Sequence, residues 1–270
     1  MRFGETRFPA FVLLTGVIIL TAYSQVPAKA QGNTQQGEDI SQAANDPTAS
    51  LMAIQLADWY TFNYHHLDDA TDNAIVFRPV IPFSTGEFNH IFRATLPIIT
   101  DHPFLDSGVT DSTIFDLVVF NASWGRWGIG AVALLPTGGE DSGAGQWGVG
   151  PAVGFTAKNG PILWGLFNQN VFTIAGDHNR PEVNISVLQP IFNMKLGEGW
   201  TAGLSEMSFT YDWDKGEFIS LPAGLSVNKL VRFGDQPVQF GAQYEHNFYN
   251  DGPGPSDTIR FSVKLLFPTQ

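Results

Sequence analysis

The sequence predicts an all-β fold, a closed antiparallel transmembrane β-barrel of about twelve strands, and three observations support this prediction. Charged residues make up only 15% of the 270 residues, against about a quarter in an ordinary soluble domain. Apolar and polar residues alternate through segments of about ten residues, the length that a barrel strand needs to cross a membrane. With the exception of the connection near Asp214, the connections between these segments are alternately short and long, as in outer-membrane barrels.

The composition excludes several classes of protein. The chain has no cysteine, which removes disulfide scaffolds, thiol catalysis and cysteine-based zinc sites. Its formal net charge of -12 argues against a nucleic acid partner, because binding phosphates requires clustered Lys and Arg. The 28 glycines and 17 prolines disfavour long helices. What remains is a strand-rich protein.

The N-terminal residues predict export. In residues 1–30, two arginines precede an apolar stretch at 8–23, and the small-x-small sequence Ala28-Lys29-Ala30 follows, which is the pattern of a cleaved signal peptide. The apolar stretch is shorter than the roughly 20 residues of a spanning helix. Residues 31–50 are polar and predict a short disordered leader. The barrel domain is therefore assigned to residues 51–270.

Alternation is clearest in the last segment. Ile259, Phe261 and Val263 lie on one face, while Arg260 and Lys264 lie on the other, because successive side chains of a strand point to opposite sides. Eleven earlier segments bring the predicted strands to twelve: 51–62, 73–82, 87–98, 111–120, 126–136, 145–157, 161–174, 182–194, 200–213, 217–230, 236–248 and 257–267. Short turns follow the even-numbered segments, so both termini are expected on the periplasmic side.

A soluble β-sandwich alternates in the same way, but with its apolar face inward. Aromatic residues near the segment ends favour the membrane barrel, where they form interfacial girdles. They are Trp59, Tyr60, Trp124, Trp127, Trp147, Trp164, Trp200, Tyr211 and Trp213.

The polar face is expected to line the lumen. Ten charged residues are the candidate selectivity residues: Arg78, Arg93, Asp116, Arg126, Glu182, Glu206, Asp212, Glu245, Arg260 and Lys264. Unpaired charge in a narrow lumen is costly, so ion pairs are expected among them. Two roles stay open, because the residues could form a constriction that selects solutes or could simply fill the barrel. Twelve strands lie between filled eight-stranded barrels and open porins.

Eight stretches of the chain resemble a known bacterial family. They are Ser50–Tyr60 (SLMAIQLADWY), Phe77–Phe83 (FRPVIPF), Ile91–Ile98 (IFRATLPI), Arg126–Thr137 (RWGIGAVALLPT), Gln146–Phe155 (QWGVGPAVGF), Asp177–Asn193 (DHNRPEVNISVLQPIFN), Ser208–Trp213 (SFTYDW) and Ile259–Pro268 (IRFSVKLLFP). The family is the outer-membrane β-barrel family of Gram-negative bacteria named for the meta-pathway of phenol degradation, whose members are often mislabelled "neuromedin U". The resemblance implies passage of small solutes, aromatic or apolar ones included. The chain departs from such barrels in ending on Pro-Thr-Gln rather than on an aromatic residue.

Motifs for chemistry are weak. The G-x-G-x-x-G sequence at 143–148 precedes a strand pattern rather than a helix, so it predicts a loop and no nucleotide cofactor. Two clusters of His and Asp, at 65–72 and 101–111, lack EF-hand spacing and predict solvated loops without a metal. His90 and His246 have polar neighbours, but no G-x-S-x-G elbow is present. We expect no catalytic residue, no cofactor and no enzymatic activity.

The sequence thus predicts a passive channel or transporter for small solutes in the cell outer membrane. Its expected partners are the lipid bilayer, the lipopolysaccharide of the outer leaflet, the barrel-assembly machinery and a small-molecule solute. The alternative is a structural or adhesive barrel with a plugged lumen and binding loops.

Overall fold

The structure, a computed structural model, describes residues 40–268, so the predicted signal peptide lies outside the described residues. The strands are β1 (Met52–His65), β2 (Asp72–Thr85), β3 (Phe88–Asp101), β4 (Gly108–Val109), β5 (Ser112–Ala122), β6 (Gly125–Leu135), β7 (Gln146–Asn159), β8 (Ile162–Gly176), β9 (Ile185–Gly197), β10 (Trp200–Leu204), β11 (Phe209–Asp212), β12 (Glu217–Phe233), β13 (Gln236–Asn250) and β14 (Gly254–Phe267). Strands β10 and β11 both pair with β9 and β12 and are two halves of one barrel strand. The two-residue β4 only extends the pairing of β3.

The sheet closes on itself. Each barrel strand pairs antiparallel with its neighbour in sequence, and β14 pairs with β1. When β10 and β11 are counted as one strand and β4 is left out, the 14 strands become the twelve barrel strands that the sequence predicts. The prediction of a closed antiparallel barrel is confirmed. Within residues 40–268, no helix is long and apolar enough to cross a membrane.

The ends of the observed strands lie within three residues of the predicted ones, and two differences have a local structural cause. The strand predicted at 182–194 begins only at Ile185, because Asn184 uses its side-chain Oδ1 rather than its backbone to accept the N–H of Thr173, at 3.0 Å. The strand predicted at 200–213 is interrupted between Leu204 and Phe209 by a bulge described below.

Large apolar side chains cover the outer wall. Aromatic residues concentrate at both ends of this wall, where the two interfacial girdles of a transmembrane barrel lie. Near the short turns, Trp127 stacks on Phe120 with ring centroids 4.5 Å apart. Near the long loops, Trp213 meets Tyr211 at 5.1 Å. Trp59 is an exception to the predicted girdle, because its ring lies under the guanidinium of Arg260, 4.5 Å away, on the inner face.

The inner wall has an apolar half, which explains why alternation is weak from 111 to 174. Strands β3 to β8 bury a cluster inside the barrel: Ile91, Phe115, Leu117, Val119, Val132, Leu134, Ala152, Phe167 and Val171. Glycines on the facing strands make room for these side chains. A Cβ on Gly154 would lie 2.6 Å from the ring of Phe167, and a Cβ on Gly148 would lie 2.5 Å from Val171. Both faces of these strands are therefore apolar.

Residues 40–51, the plug segment, lie inside the barrel at the end with the short turns. Gln42 Nε2 donates to the carbonyl of Pro161 at 3.2 Å, and Gln239 Nε2 donates to the carbonyl of Ser41 at 3.3 Å. Ile40 and Leu51 pack against Leu230 and Leu266 of the inner wall. The structure thus differs from the leader predicted at 31–50. Its residues 40–50 are packed, because small polar side chains find partners on a polar inner wall, and its residues 31–39 lie outside the described residues.

Candidate functional site

The plug segment is anchored to the wall by Asp46. Its carboxylate accepts hydrogen bonds from the guanidinium of Arg126, from Thr48 (backbone N–H at 2.9 Å, Oγ1 at 2.7 Å) and from Thr156 Oγ1 at 3.1 Å. Asp46 is only 6% exposed. Arg126 faces the lumen as predicted, but its partner comes from the plug rather than from another strand. Sequence reasoning missed Asp46 because it assigned the whole leader to disorder.

The break between β10 and β11 is a bulge of one extra residue. Six steps along the chain, from Gly203 to Phe209, face five steps from Asn193 to Leu188 on β9. An extra residue reverses which side chains point inward. The sequence itself shows this reversal. The large outward residues have even numbers before the bulge (Trp200 and Leu204) and odd numbers after it (Phe209, Tyr211 and Trp213).

The bulge extends Glu206 across the lumen. Its Oε2 lies 2.6 Å from Arg78 Nη1 on β2, and its Oε1 lies 3.7 Å from Lys264 Nζ on β14. The backbone N–H of Glu206 donates to Gln243 Oε1 at 2.9 Å, and its carbonyl accepts from Arg260 Nη1 at 3.3 Å. Groups from three other strands, β2, β13 and β14, therefore hold Glu206 inside the barrel, and two of them, β2 and β14, supply the cations that face its carboxylate.

A second acidic residue completes the arrangement. Glu245 Oε1 accepts from Arg260 Nη2 at 2.8 Å, and its Oε2 accepts from Ser205 Oγ at 3.0 Å. We call six of the inward charged residues the lumen cluster: Arg78, Arg93, Glu206, Glu245, Arg260 and Lys264. Four cationic side chains face two carboxylates, which leaves a formal excess of two positive charges. The prediction that ion pairs form across the lumen is met by these residues.

Arg93 differs from the other cations of the cluster. Its guanidinium carbon lies 4.2 Å from the ring centroid of Phe115, directly opposite on β5, and 5.9 Å from that of Phe167. Within the described part of the chain, Arg93 has no hydrogen bond or ion pair, and its buried Nε has no partner. The arginine is held by aromatic faces, not by a carboxylate.

Three of the ten predicted lumen residues lie elsewhere, and these predictions were wrong. Asp116 is on the outer wall, because its neighbours Phe115 and Leu117 take the inner face, and its Oδ2 lies 2.8 Å from His90 Nδ1. Glu182 lies in the loop before β9, where it accepts from Asn184 Nδ2 at 3.0 Å. Asp212 ends β11 and accepts two backbone N–H groups of the following turn. Parity failed for Asp116 because the inner face of β5 is apolar. It failed for Glu182 and Asp212 because these residues lie at segment ends, outside the membrane.

A cavity of about 130 Å³ separates the plug segment from the lumen cluster. Its wall combines charged side chains of the cluster with apolar residues of the other half of the barrel. They include Arg78, Arg93, Lys264, Val80, Ile91 and Phe115. The volume admits on the order of ten water molecules, and the polar groups would keep it hydrated.

The long loops hold the acidic and histidine clusters predicted there. Asp111 accepts the backbone N–H of Gly138 at 3.0 Å and of Ala144 at 2.6 Å, so it ties two loops together. Across residues 40–268, no three His, Asp or Glu side chains are placed to hold a metal ion. The pKa of the Asp177 carboxyl lies below its ordinary value, mainly because the backbone N–H of Asn179 donates to it at 2.9 Å.

Solved structures match this architecture over most of the chain. An outer membrane channel from Pseudomonas putida F1 is 15% identical, with 82% of this chain and 98% of that chain covered and a TM-score of 0.59. The fold is that of an outer-membrane barrel. Outer membrane phospholipase A from Escherichia coli is 11% identical (84% and 97% covered, TM-score 0.45), and a mutant porin of Rh. blastica is 9% identical (80% and 99% covered, TM-score 0.28). No protein-family model and no curated protein sequence matches the chain.

The comparison corrects the expectation that the protein is not an enzyme. One of the matched barrels, the phospholipase, is an enzyme. At 11% identity and a TM-score of 0.45, the likeness assigns no activity to this chain. The resemblance to the phenol meta-pathway family stays a prediction.

Proposed function

We propose that the protein is a passive channel of the outer membrane for small solutes, aromatic or apolar ones included. The observation that supports this most is the cavity inside the barrel, closed at one side by the plug segment and at the other by the lumen cluster. A barrel with a purely structural role needs no such space, because side chains can fill it. Flux would follow the concentration gradient of the solute.

The closure by the plug segment is of a kind that can open. The plug segment is attached to the wall largely by hydrogen bonds and one ion pair, which water can replace when the segment moves. The apolar half of the inner wall offers a surface along which aromatic or aliphatic groups can pass. Charged residues on the other half, Arg78, Arg93, Glu206, Glu245, Arg260 and Lys264, would discriminate between solutes by charge and size.

The location and the partners belong to the same proposal. An apolar outer wall with aromatic residues at both ends suits a lipid bilayer. Export through the signal peptide at 1–30, insertion by the barrel-assembly machinery and contact of the long loops with lipopolysaccharide would follow for such a barrel. Passage of phenol-type compounds rests on the family resemblance.

Solute flux into liposomes tests the proposal. Folded protein is identified by heat-modifiable gel migration, because a closed barrel resists detergent until it is boiled. We expect small solutes to enter liposomes with the protein faster than empty ones, and Glu206→Gln to change this rate. Glu182→Gln, the same change in an exposed loop, is the matched control. If folded protein carries no solute, the alternative is favoured, namely a structural or adhesive barrel with a plugged lumen and binding loops.

A second activity is favoured by one observation on the outer wall. Asp116 Oδ2, His90 and Thr85 form a chain, with His90 Nδ1 2.8 Å from the carboxylate and His90 Nε2 2.7 Å from Thr85 Oγ1. This is the order of acid, base and hydroxyl nucleophile in hydrolases. His90 would take the proton as Thr85 Oγ1 attacks an ester carbonyl, and would return it to the leaving alcohol. Water would then release the acid from the acyl-enzyme.

Release of fatty acid from phospholipid micelles tests this activity. Hydrolysis should disappear in Thr85→Ala and in His90→Gln. It should persist in Ser84→Ala, which removes the neighbouring hydroxyl that bonds Asn89 instead, at 3.0 Å. The proposed activity is contradicted if folded wild-type protein releases no fatty acid, or if hydrolysis survives in Thr85→Ala. The hydrogen bonds that join Asp116, His90 and Thr85 would then be structural only.

A further inference from the structure

We propose that the lumen cavity is a binding site for a small organic anion, a carboxylate with an aromatic or apolar body, and that Arg93 binds the carboxylate. The inference rests on the proposed function, because it assigns the charge and chemical class of the solute. It concerns equilibrium binding, however, and does not require flux.

The charge of the lumen cluster favours an anion. Two carboxylates, Glu206 and Glu245, neutralise only two of four cationic side chains. Water in a narrow cavity screens charge poorly, so an uncompensated cation in this space attracts a counter-ion. Arg260 is bonded to Glu245, and Arg78 and Lys264 share the single carboxylate of Glu206. One surplus charge therefore belongs to the pair of Arg78 and Lys264, and the other belongs to Arg93, which has no carboxylate partner among the described residues.

Arg93 has the donors that a carboxylate needs. It lines the cavity, and its guanidinium is occupied only through its face, by the ring of Phe115 at 4.2 Å. A guanidinium that is stacked on a ring still presents its N–H groups along the edge, where a carboxylate can be bound by two parallel hydrogen bonds. Its Nε is fully buried, so the donors left to a ligand are the two Nη groups, which are not among the buried atoms and have no hydrogen-bond acceptor among the described residues.

The rest of the cavity suits an apolar body. Val80, Ile91, Phe115 and Ile191 line the side of the barrel that carries Arg93. A ligand whose carboxylate meets Arg93 would therefore place its hydrocarbon part against side chains of the apolar half. The cavity of about 130 Å³ limits such a ligand to about one ring or a short chain.

Binding of benzoate to the folded, detergent-solubilised full-length protein tests the inference, with isothermal titration as the readout. Benzylamine and benzyl alcohol have the same ring with a positive or no charge, and acetate has the same charge without a ring. We expect benzoate to bind one to one, at least about tenfold tighter than each of these three, because a charged hydrogen-bonded pair and ring burial each contribute that much.

Variants assign the site to Arg93. Arg93→Gln should weaken benzoate binding about tenfold or more, and Arg93→Lys should restore part of it. Arg180→Gln removes the same charge in an outer loop, where Arg180 bonds backbone carbonyls, and should leave binding unchanged. Gel migration confirms that each variant is folded.

The inference is overturned if benzylamine or benzyl alcohol binds as tightly as benzoate, or if Arg93→Gln keeps the wild-type affinity. Equal affinity for acetate would remove the apolar part of the assignment. Failure of the proposed function gives a different result, since protein that binds benzoate but carries no solute retains the site. Protein that carries solutes without preferring benzoate retains the channel.

Discussion

Replacing Asp46 with Asn should release the plug segment from the barrel wall. The side chain keeps its shape, but the negative charge that pairs with Arg126 is lost. The hydrogen bonds from Thr48 and Thr156 then meet a neutral amide, in which only one oxygen accepts. The site remains the same size, so the change acts on electrostatics rather than on packing.

The magnitude follows from the loss of charge assistance. Hydrogen bonds to charged groups contribute about 1.5–3 kcal/mol, against about 0.5–1.5 kcal/mol between neutral groups. The carboxylate is fully buried, but the side chain of Arg126 is 25% exposed, and water compensates part of the loss there. Docking of the plug segment should weaken by about 1–2 kcal/mol, which raises the undocked population roughly 5- to 30-fold.

Cysteine labelling measures this population, since the chain has no cysteine of its own. Ser41→Cys places a thiol in the plug segment where the native side chain is only 1% exposed. A water-soluble maleimide can reach it only in the undocked state, so the labelling rate should rise 5- to 30-fold when Asp46→Asn is added. Ser123→Cys, in an exposed turn, should label at the same rate in both backgrounds.

Equal labelling of Ser41→Cys with and without Asp46→Asn would refute the anchoring role of Asp46. Fast labelling already in the native background would refute the docked position of the plug segment itself.

Three further predictions concern the bulge, the inner wall and a loop. Glu206→Gln breaks the buried ion pairs of the lumen cluster, so it should lower the free energy of unfolding, measured in urea, by about 3–5 kcal/mol. It should also shift the reversal potential in planar bilayers to the value of a more anion-selective channel. An unchanged reversal potential would remove Glu206 from the solute path. Gly154→Ala places a Cβ 2.6 Å from the ring of Phe167 and should destabilise the barrel by about 1–3 kcal/mol, measured in the same way; no loss would mean that the apolar half repacks freely. NMR of the Asp177 carboxyl carbon should give a pKa below the ordinary value for aspartate, and Asn179→Pro, which removes the N–H donor, should raise that pKa toward the ordinary value. Because the pKa is lowered in the folded state, the stabilisation is complete above the unfolded pKa and is lost as pH falls through the folded pKa.

The sequence was sufficient for the barrel and its strands because alternation and loop lengths are local properties. Strand β14, for example, places Arg260 and Lys264 inward as its parity predicts. The bulge at Glu206 was missed because parity was read through the whole segment from 200 to 213, although the outward residues change from even to odd numbers within it.

The candidate site could be predicted only in part. Parity located six residues of the lumen cluster and Arg126, but it could not pair them, because pairs such as Arg78 with Glu206 join strands far apart in sequence. Asp46 and the plug segment left no periodic signal, since a short polar segment that packs inside a barrel has the composition of a mobile leader. The apolar half of the inner wall was not predicted, because several positions of its strands are glycines, which interrupt the apolar pattern in the sequence.

A reversible lock on the plug segment tests the central claim most directly. Thr48 Oγ1 and Thr156 Oγ1 lie 2.7 Å apart, so Thr48→Cys combined with Thr156→Cys brings two sulfurs within bonding reach. If solutes cross through a lumen that the plug segment closes, the oxidised protein should be silent in planar bilayers and should conduct once a reductant is added. Equal conductance before and after reduction would contradict a plug that moves in a conducting barrel.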